Sequence, residues 1–565
     1  MKVRSFNLAV AAATFSSRAL AMPTSGSSLP VVDLGYELHQ ALSYNETSEI
    51  YTFSNIRYAQ SPTGNLRFRA PSYPLADRST VRNGSEPRTC PQGIPAWQSK
   101  AFVPIDEFST RGAPFNLSAW ERAIEDAPAL PIDTTQGTTE DCLFLDVHVP
   151  KKIWERAQRQ PEGGFHGVPV LVWVHGGGFV LGSKTGFPQP TYNPDLIMQK
   201  GQQYSKDGFI FVALNYRLGA FGFLSGPAVL QDGDQNAGLL DQRFAFEWVQ
   251  RNIHLFGGAP DRVTAMGESG GGGSILALMV GPGVKAPFSQ VIAQSPAMNP
   301  TIVAPAGAFD EFLTRLNVSS LAEARKLDST AVIRANSEQI GDAPPTSYVF
   351  GMVKDAKSMP AHLDVLLRRG DFDKAVRVLS AVDTLEGGFF FDPAAKTDDA
   401  VRKVIATTMP GMSASQLDEL SNQIYPSLFD GSQGYIDQSS RQITINGDAY
   451  FYCNFLAVNE ASNGAAHAYE FAVTPGVHTQ DLAYTFDDPY SPPALAQARE
   501  TLVSAITSFA VYGRPDLVVD GNKMHFPSWG ANKQQVTIGD KGSAVTRSTV
   551  SEKRCAWWRA LHESM

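Results

Sequence analysis

The segment Gly267–Gly271, with the sequence GESGG, contains a serine that could act as a nucleophile. It follows an apolar run and opens a glycine-rich stretch that is typical of a helix start. A serine on a sharp turn from a strand into a helix projects its hydroxyl into the open. The residues two positions before and after it must be small, because neighbouring backbone comes close. The pentapeptide alone is weakly specific, since an ordinary tight turn can also carry it. In this context it predicts that Ser269 attacks a carbonyl carbon.

A second glycine-rich segment, HGGGF at His175–Phe179, could stabilise the charge that such an attack creates. It comes directly after the apolar run Val168–Val174, which is predicted to be a strand. Consecutive glycines allow backbone N–H groups to turn toward a substrate oxygen. We therefore expect the amides of Gly177 and Gly178, together with that of Gly270, to form an oxyanion hole. A flexible connection is the alternative, but ordered apolar residues follow the glycines.

The general base of a nucleophilic serine is a histidine, and in folds with this serine turn the chain order is serine, acid, histidine. The histidines that follow the serine are His362, His467, His478, His525 and His562. His467 lies inside the apolar run Ala466–Phe471, where we expect it to face the sheet. His478 comes seven residues after the end of that run, in a loop at the catalytic edge. His478 is therefore the predicted base.

The acid that orients this histidine should also follow a strand. The apolar run Val376–Val382 leads into Asp383 and then Glu386. Both carboxylates are eligible by position, and the spacing alone does not choose between them.

These groups need a scaffold that brings the ends of several strands together. Apolar runs rich in β-branched residues recur along the chain, and several are apolar on both faces, as strands of a buried parallel sheet must be. Helical stretches such as Gln242–Asn252 and Ala496–Tyr512 accompany them. The pattern predicts an α/β fold with a large, mostly parallel sheet covered by helices on both faces, and a site beyond the carboxyl ends of the strands. The predicted strands are Val168–Val174, Phe209–Leu214, Val263–Met266, Val291–Ala293, Val376–Val382 and Ala466–Phe471.

Composition excludes several classes of protein. The 565 residues include 47 basic and 56 acidic side chains, a net charge of −9, and 43% of residues are hydrophobic, as expected of an ordered globular protein. Without a basic patch the chain lacks the electrostatic attraction that drives most nucleic-acid binding, so no nucleic-acid partner is expected. No run of about 18 apolar residues occurs, so no transmembrane helix is expected. No repeat or low-complexity linker interrupts residues 22–565, which we expect to form one domain.

The N-terminus is typical of a secretory signal peptide. Lys2 and Arg4 precede the mostly apolar stretch Phe6–Phe15, and the sequence Ala-Leu-Ala ends at Ala21. We expect residues 1–21 to be removed and the protein to be secreted; a short amphipathic start of a cytosolic protein is the alternative. Four sequons agree with secretion and are candidate glycosylation sites: Asn45, Asn83, Asn116 and Asn317.

The four cysteines, Cys90, Cys142, Cys453 and Cys555, are separated by 52, 311 and 102 residues. None of these intervals resembles the spacing of zinc ligands, so no metal is expected. In an oxidising compartment the simplest pairing is sequential, Cys90 with Cys142 and Cys453 with Cys555. Four buried free thiols are the alternative.

Taken together, the motifs resemble those of the type-B carboxylesterase/lipase family, which includes the cholinesterases and secreted fungal lipases. The resemblance extends from about Asp33 to Trp558. The segments that carry it are Ile56–Ala59, Leu66–Pro71, Glu140–Val147, His175–Phe179, Asn215–Arg217, Gly267–Gly271, Glu386–Gly387 and His478–Leu482.

This resemblance implies an α/β-hydrolase fold and selects Glu386 as the acid, because the family has a glutamate followed by glycine and soon by an aromatic residue. It agrees with the sequential disulfides, the first of which encloses a lid or rim segment in relatives. It also implies that Ser295, which follows the predicted strand Val291–Ala293, supports the acid. Gly270 departs from the family, since many members have alanine there.

The function implied is that of a secreted carboxylic-ester hydrolase. Ser269 would attack the ester, His478 would accept its proton, and Glu386 would orient the imidazole through an acyl-enzyme cycle that needs no cofactor. The substrate would be a small-molecule or lipid ester. The alternatives are a lipase acting on long-chain acylglycerols or sterol esters, an amidase or acyltransferase, and a non-catalytic cholinesterase-like binding protein. The natural ester and the oligomeric state are not predicted.

Overall fold

Eleven strands form one sheet in the computed structural model, which describes residues 29–105, 108, 115–128, 135, 137–159, 166–186, 191–486, 495–519 and 522–565. The predicted signal peptide, residues 1–21, lies outside the described residues. In the described part of the chain, no helix combines the length and the apolar character needed to cross a membrane.

The strands are numbered in chain order. They are β1 (Val31–Asp33), β2 (Leu38–Gln40), β3 (Ser43–Asn45), β4 (Ile50–Arg57), β5 (Val81–Arg82), β6 (Phe144–Pro150), β7 (Val168–Val174), β8 (Ile210–Leu214), β9 (Gly258–Glu268), β10 (Gln290–Gln294), β11 (Arg377–Asp383), β12 (His467–Ala472), β13 (Leu517–Val519), β14 (Asn522–Met524), β15 (Gln534–Gly539) and β16 (Gly542–Arg547).

The large sheet has the order β16-β15-β12-β11-β10-β9-β7-β8-β6-β4-β3. The strands from β8 through β7, β9, β10, β11 and β12 to β15 run parallel, and the strands at both edges pair antiparallel. Each of the six apolar runs identified in the sequence corresponds to a strand of this parallel section. Four of the runs match their strands to within about one residue at each end, and the other two lie inside the longer strands β9 and β10. The strand predictions are therefore confirmed. The other described strands form a small sheet of β1, β2 and β5 and the hairpin β13-β14.

The α-helices are α1 (Ala96–Ala101), α2 (Val103–Ile105), α3 (Leu117–Asp126), α4 (Lys151–Arg159), α5 (Asp195–Tyr204), α6 (Gly219–Phe223), α7 (Pro227–Asp232), α8 (Ala237–Asn252), α9 (Gly270–Ala277), α10 (Ala308–Arg315), α11 (Leu321–Ala324), α12 (Ser329–Gly341), α13 (Leu363–Arg369), α14 (Asp398–Thr408), α15 (Ala414–Glu419), α16 (Gln438–Gly447), α17 (Cys453–Ala461), α18 (Leu482–Thr485), α19 (Ala496–Tyr512) and α20 (Glu552–Ser564). Single 3₁₀ turns span Gly64–Leu66, Ile253–Phe256 and Glu386–Phe389, and π-helical turns span Leu420–Ile424 and Asp448–Tyr452.

Both faces of the sheet are buried, as the continuous apolar run of β7 predicts. All seven residues of β7 are buried. Because successive side chains of a strand point to opposite faces, Leu171 and Trp173 pack with α5 and α19, whereas Val170 and Val172 pack in the second core with α8 and α9. This double layer confirms the predicted α/β architecture, including α19 with the predicted bounds.

Two disulfides join distant parts of the chain, with the predicted sequential pairing. Cys90 bonds to Cys142, just before β6, and Cys453 at the start of α17 bonds to Cys555 in α20. The described residues contain no free cysteine. The second bond fastens the C-terminal helix to the helical layer beside β11 and β12.

Candidate active site

Ser269 occupies the sharp turn between β9 and α9 that the sequence predicts. Its backbone has φ 54° and ψ −124°, a conformation that costs a non-glycine residue about 1–3 kcal/mol. The surrounding structure holds it there, since its N–H donates to the carbonyl of Gln294 at 3.0 Å. A Cβ on Gly271 would lie only 2.2 Å from the carbonyl oxygen of Val174, which explains why this position must be glycine. The turn leaves the Ser269 hydroxyl facing a cavity.

A chain of hydrogen bonds connects this hydroxyl to one histidine and one carboxylate. His478 Nε2 lies 2.9 Å from Ser269 Oγ, and His478 Nδ1 lies 2.6 Å from Glu386 Oε2. The ring is buried, and the aromatic side chain of Phe451 lies 4.4 Å away between ring centroids. This is the spatial arrangement that a nucleophile, its base and an orienting acid require.

Of the two eligible acids, Glu386 contacts the histidine. Its second carboxylate oxygen accepts a hydrogen bond from the backbone N–H of Asp383 at 2.8 Å. The Asp383 side chain points elsewhere and accepts the N–H of Gln480 at 3.2 Å. The geometry therefore agrees with the choice that the family resemblance implied.

The other histidines after the serine lie away from this chain of hydrogen bonds. His467 is in β12 and its Nδ1 contacts the carbonyl of Pro527. His525 is exposed. His362 and His562 share a different carboxylate, that of Asp364.

The amides predicted to bind an oxyanion lie side by side. Gly177 and Gly178 have φ of 100° and 60°, and a Cβ on Gly178 would lie 2.6 Å from the Tyr348 ring. A Cβ built on Gly270 would lie 3.6 Å from the backbone nitrogen of Gly178, so these two residues are in contact. The same Cβ would be 3.4 Å from Phe179, an ordinary contact, so alanine also fits at residue 270.

The predicted support of the acid by Ser295 is not present in the structure. Ser295 is buried at the end of β10, but its Oγ has no hydrogen-bond partner among the described residues. The acid is held instead by the Asp383 N–H and by Tyr452, whose hydroxyl accepts the N–H of Glu386 at 3.2 Å and donates to the Thr384 carbonyl at 2.7 Å. No sequence pattern marks Tyr452, because a π-helical turn brings it to the site from 66 residues away.

Additional buried carboxyl groups surround the imidazole. Glu268 Oε1 lies 3.3 Å from His478 Nε2. Burial raises the pKa of Glu268 well above its usual range, and the charges of Asp481 and Glu386 raise it further. Burial likewise raises the pKa of Asp383, as do the nearby carboxylates. Glu386 is the carboxylate whose two oxygens contact the Asp383 N–H and His478 Nδ1.

Two cavities meet at Ser269. The larger, of about 260 Å³, also borders His478 and is lined by Gln98, Phe102 and Ile105 from the segment that the first disulfide closes. The smaller measures about 40 Å³, and its described lining includes Ser269 and Gly178 but not His478. Its remaining walls are mainly apolar and aromatic: Phe179, Met298, Phe350, Phe390, Tyr450 and Phe451.

The carboxylesterase family model matches residues 39–558, which is most of the chain. The chain belongs to the carboxylesterase family. This confirms the resemblance stated from the motifs and makes the protein a serine ester hydrolase with the α/β-hydrolase fold.

Relatives of this carboxylesterase include fungal enzymes. Carboxylesterase patB of Aspergillus clavatus is 37% identical over 550 residues, covering 94% of this chain and 96% of the relative. A secreted lipase of Arthroderma benhamiae is 29% identical, covering 75% of this chain and 83% of the relative. Among solved structures, EstA of Aspergillus niger is similar with a TM-score of 0.74 at 26% identity, covering 96% of this chain and 100% of that one.

Proposed function

We propose that this carboxylesterase hydrolyses esters through a triad of Ser269, His478 and Glu386. The observation that carries the proposal is the continuous hydrogen-bonded chain from the serine hydroxyl to the Glu386 carboxylate. His478 takes the hydroxyl proton as the serine oxygen attacks the carbonyl carbon, and Glu386 stabilises the imidazolium that forms. His478 then protonates the departing alcohol. Water repeats the cycle on the acyl-enzyme and releases the acid.

The amides of Gly177, Gly178 and Gly270 bind the oxyanion of each tetrahedral intermediate. They lie beside the nucleophile on rigid backbone, so they require little reorganisation as charge develops. Side chains and backbone amides of the chain itself therefore carry out every proton transfer and every charge stabilisation in the cycle.

The positions of the two cavities support an assignment of the two halves of the ester. The leaving alcohol must accept a proton from His478, so it occupies the larger cavity, which His478 borders. The acyl group then occupies the small cavity of about 40 Å³. One ordered water needs roughly 10–15 Å³ on this measure, so the cavity holds about three atoms the size of water. An acetyl or propionyl group fits, and a long fatty acyl chain does not. The geometry therefore favours a short-acyl esterase over a long-chain lipase.

Secretion and processing are also proposals. They are supported by the two disulfides, by the predicted signal peptide at residues 1–21, and by the secreted lipase among the relatives. Each of the four sequon asparagines is exposed, so all can receive a glycan: Asn45, Asn83, Asn116 and Asn317.

The test is hydrolysis of p-nitrophenyl esters of increasing acyl length by the purified protein, with the Ser269→Ala variant as control. We expect the highest kcat/KM for acetyl or propionyl esters, a steep fall beyond butyryl, and a loss of about 10⁶-fold in kcat in the variant. Met298→Ala, which enlarges the small cavity, should shift the optimum toward butyryl.

Four outcomes would contradict the proposal. If Ser269→Ala were as active as the wild type, or if an organophosphate labelled another serine, the assigned triad would be wrong. Complete inactivity of the wild type on every ester would favour a binding protein. A preference for dodecanoyl esters would assign the acyl chain to the larger cavity and favour a lipase.

A further inference from the structure

The small cavity at Ser269 is lined by a tyrosine whose hydroxyl is available to a substrate. Tyr450 lies in the π-helical turn Asp448–Tyr452, and the residue is 8% exposed. It lines the small cavity, and the larger cavity beside His478 does not include it. Tyr450 therefore meets the acyl half of an ester and not the alcohol half.

The Tyr450 hydroxyl makes no hydrogen bond to any residue that the structure describes. The backbone around it is well held, because the Tyr450 carbonyl accepts the N–H of Met298 at 3.2 Å and the Asn454 side-chain amide at 2.8 Å. The ring stacks on that of Phe390, with centroids 5.9 Å apart. Burial raises the pKa of the hydroxyl, and no hydrogen bond offsets this effect. The hydroxyl is thus held in place without a partner from the described chain.

Other buried tyrosines of the protein have partners. Five that are at most 1% exposed each donate to a carbonyl or carboxylate oxygen at 2.6–3.0 Å: Tyr58, Tyr216, Tyr425, Tyr435 and Tyr469. The Tyr450 oxygen also differs from the polar atoms that the core encloses without a partner, because it retains accessible surface. Since Tyr450 lines the small cavity, its hydroxyl presents a hydrogen-bond donor there.

The acyl group that enters the cavity decides whether this donor is satisfied. A hydroxyl that loses water without gaining a protein or ligand partner is costly, so buried hydroxyls are normally paired. An alkyl chain would fill the cavity and leave the Tyr450 hydroxyl unpaired, whereas a chain with a suitably placed oxygen would accept its proton. Because the cavity of about 40 Å³ holds about three atoms the size of water, that oxygen must lie close to the ester carbonyl.

A second side chain adds donor capacity to the same cavity. Asn299 is half-buried, and its side-chain oxygen accepts the N–H of Thr301 at 3.3 Å. Its NH₂ group has no partner in the described part of the chain. An NH₂ group only donates. The free polar groups of Asn299 and Tyr450 therefore both suit a substrate atom that accepts hydrogen bonds.

We propose that the small cavity selects short acyl groups that carry an accepting oxygen, such as alkoxyacyl, hydroxyacyl or oxoacyl groups, and that Tyr450 donates the hydrogen bond to this oxygen. The inference rests on the proposed function, because it takes the small cavity as the acyl site. The hydrolytic chemistry is unchanged: Ser269 forms the same acyl-enzyme, and the Tyr450 hydroxyl keeps its proton throughout. Tyr450 thus determines specificity.

The first experiment compares two p-nitrophenyl esters of nearly equal size on the wild-type protein. Butyryl and methoxyacetyl chains have the same number of non-hydrogen atoms, but the second contains an ether oxygen. Each kcat/KM is divided by the rate constant for hydroxide hydrolysis of the same ester, which removes the activation that the alkoxy group itself causes. We expect a corrected preference for methoxyacetyl of at least about tenfold. A corrected preference for butyryl, or none, overturns the proposal and assigns a bound water as the partner of the hydroxyl.

The second experiment removes the hydroxyl and keeps the ring. Tyr450→Phe should lower kcat/KM for the methoxyacetyl ester by about tenfold, and kcat/KM for the butyryl ester should stay equal or rise. Intrinsic ester reactivity cancels in this comparison, since both proteins receive the same two substrates. Tyr44→Phe is the matched control, because Tyr44 lies in the edge strand β3 and lines neither cavity. If Tyr450→Phe weakens hydrolysis of both esters equally, the role of the hydroxyl is structural and the proposal is overturned.

Failure of this inference can be distinguished from failure of the proposed function. If the wild type hydrolyses neither ester, the proposed function is wrong and the inference is overturned with it. If Met298→Ala shifts the acyl-length optimum as expected, the small cavity is the acyl site. An unchanged ratio of the two kcat/KM values in Tyr450→Phe would then overturn the inference alone.

Discussion

Replacing the triad acid by its amide, Glu386→Gln, tests the hydrogen-bonded chain with almost no change in volume. One oxygen of Glu386 accepts the backbone N–H of Asp383 at 2.8 Å, and the other contacts His478 Nδ1 at 2.6 Å. A glutamine has a single oxygen, and the fixed N–H of Asp383 requires it. The amide NH₂ group must then face Nδ1. Because an NH₂ group only donates, Nδ1 has to give up its proton and the ring adopts the Nε2–H tautomer.

The change of tautomer should remove the ability of His478 to act as a base. An imidazole protonated at Nε2 cannot accept the proton of Ser269, although the two atoms remain 2.9 Å apart. Serine hydrolases with this defect lose about 10⁴-fold in kcat, which corresponds to roughly 5.4 kcal/mol in the activation free energy. Since the substrate cavities are untouched, KM should change little. The folded state should be nearly as stable as before, because the replaced atoms are the same in number and shape.

The assay is steady-state hydrolysis of p-nitrophenyl acetate, with thermal unfolding as the check on folding. Asp383→Asn is the matched control, because the Asp383 side chain accepts the backbone N–H of Gln480 and makes no hydrogen bond to the imidazole. We expect this control to keep kcat within about threefold of the wild type, a change of less than roughly 1 kcal/mol. The reasoning fails if Glu386→Gln retains more than a tenth of wild-type kcat, or if Asp383→Asn is the more damaging change.

Three further predictions follow from the same site and from the disulfides. Tyr452→Phe leaves the N–H of Glu386 without its acceptor and should lower kcat by about tenfold with little change in KM; an unchanged kcat would exclude a positioning role. Gly270→Ala should retain esterase activity, whereas Gly178→Ala, whose Cβ would lie 2.6 Å from an aromatic ring, should lose it; equal activities would exclude the assigned oxyanion hole. Replacing both Cys453 and Cys555 by serine should lower the free energy of unfolding by about 4–5 kcal/mol in urea titrations, and unchanged stability would contradict the loop-closure argument.

The sequence alone was sufficient to predict those features that depend on a few neighbouring residues. The turn at Ser269 is encoded by small residues within five positions, because only they avoid the backbone that approaches it. Strands such as β7 are recognisable from an unbroken apolar run, because a strand buried on both faces has no position for a polar side chain. The position of His478 beside Ser269 was also predictable, since a loop after a parallel strand lies at the edge of the sheet where the serine turn lies.

Only the tertiary structure decided which groups make contact across long separations in the chain. Ser269 and His478 are 209 residues apart, and Tyr452 reaches the acid from a π-helical turn that no sequence period marks. Position left Asp383 and Glu386 equally eligible and only the family resemblance selected Glu386; in the folded chain it is the Glu386 carboxylate that contacts the imidazole. His362 and His562, which the sequence did not favour as the base, meet at one carboxylate because α13 and α20 pack together. The physical reason is that steric restrictions and hydrophobic periodicity depend on a few neighbouring residues of the sequence. The direction of a side chain at a site shared by several elements depends instead on how all of those elements pack together.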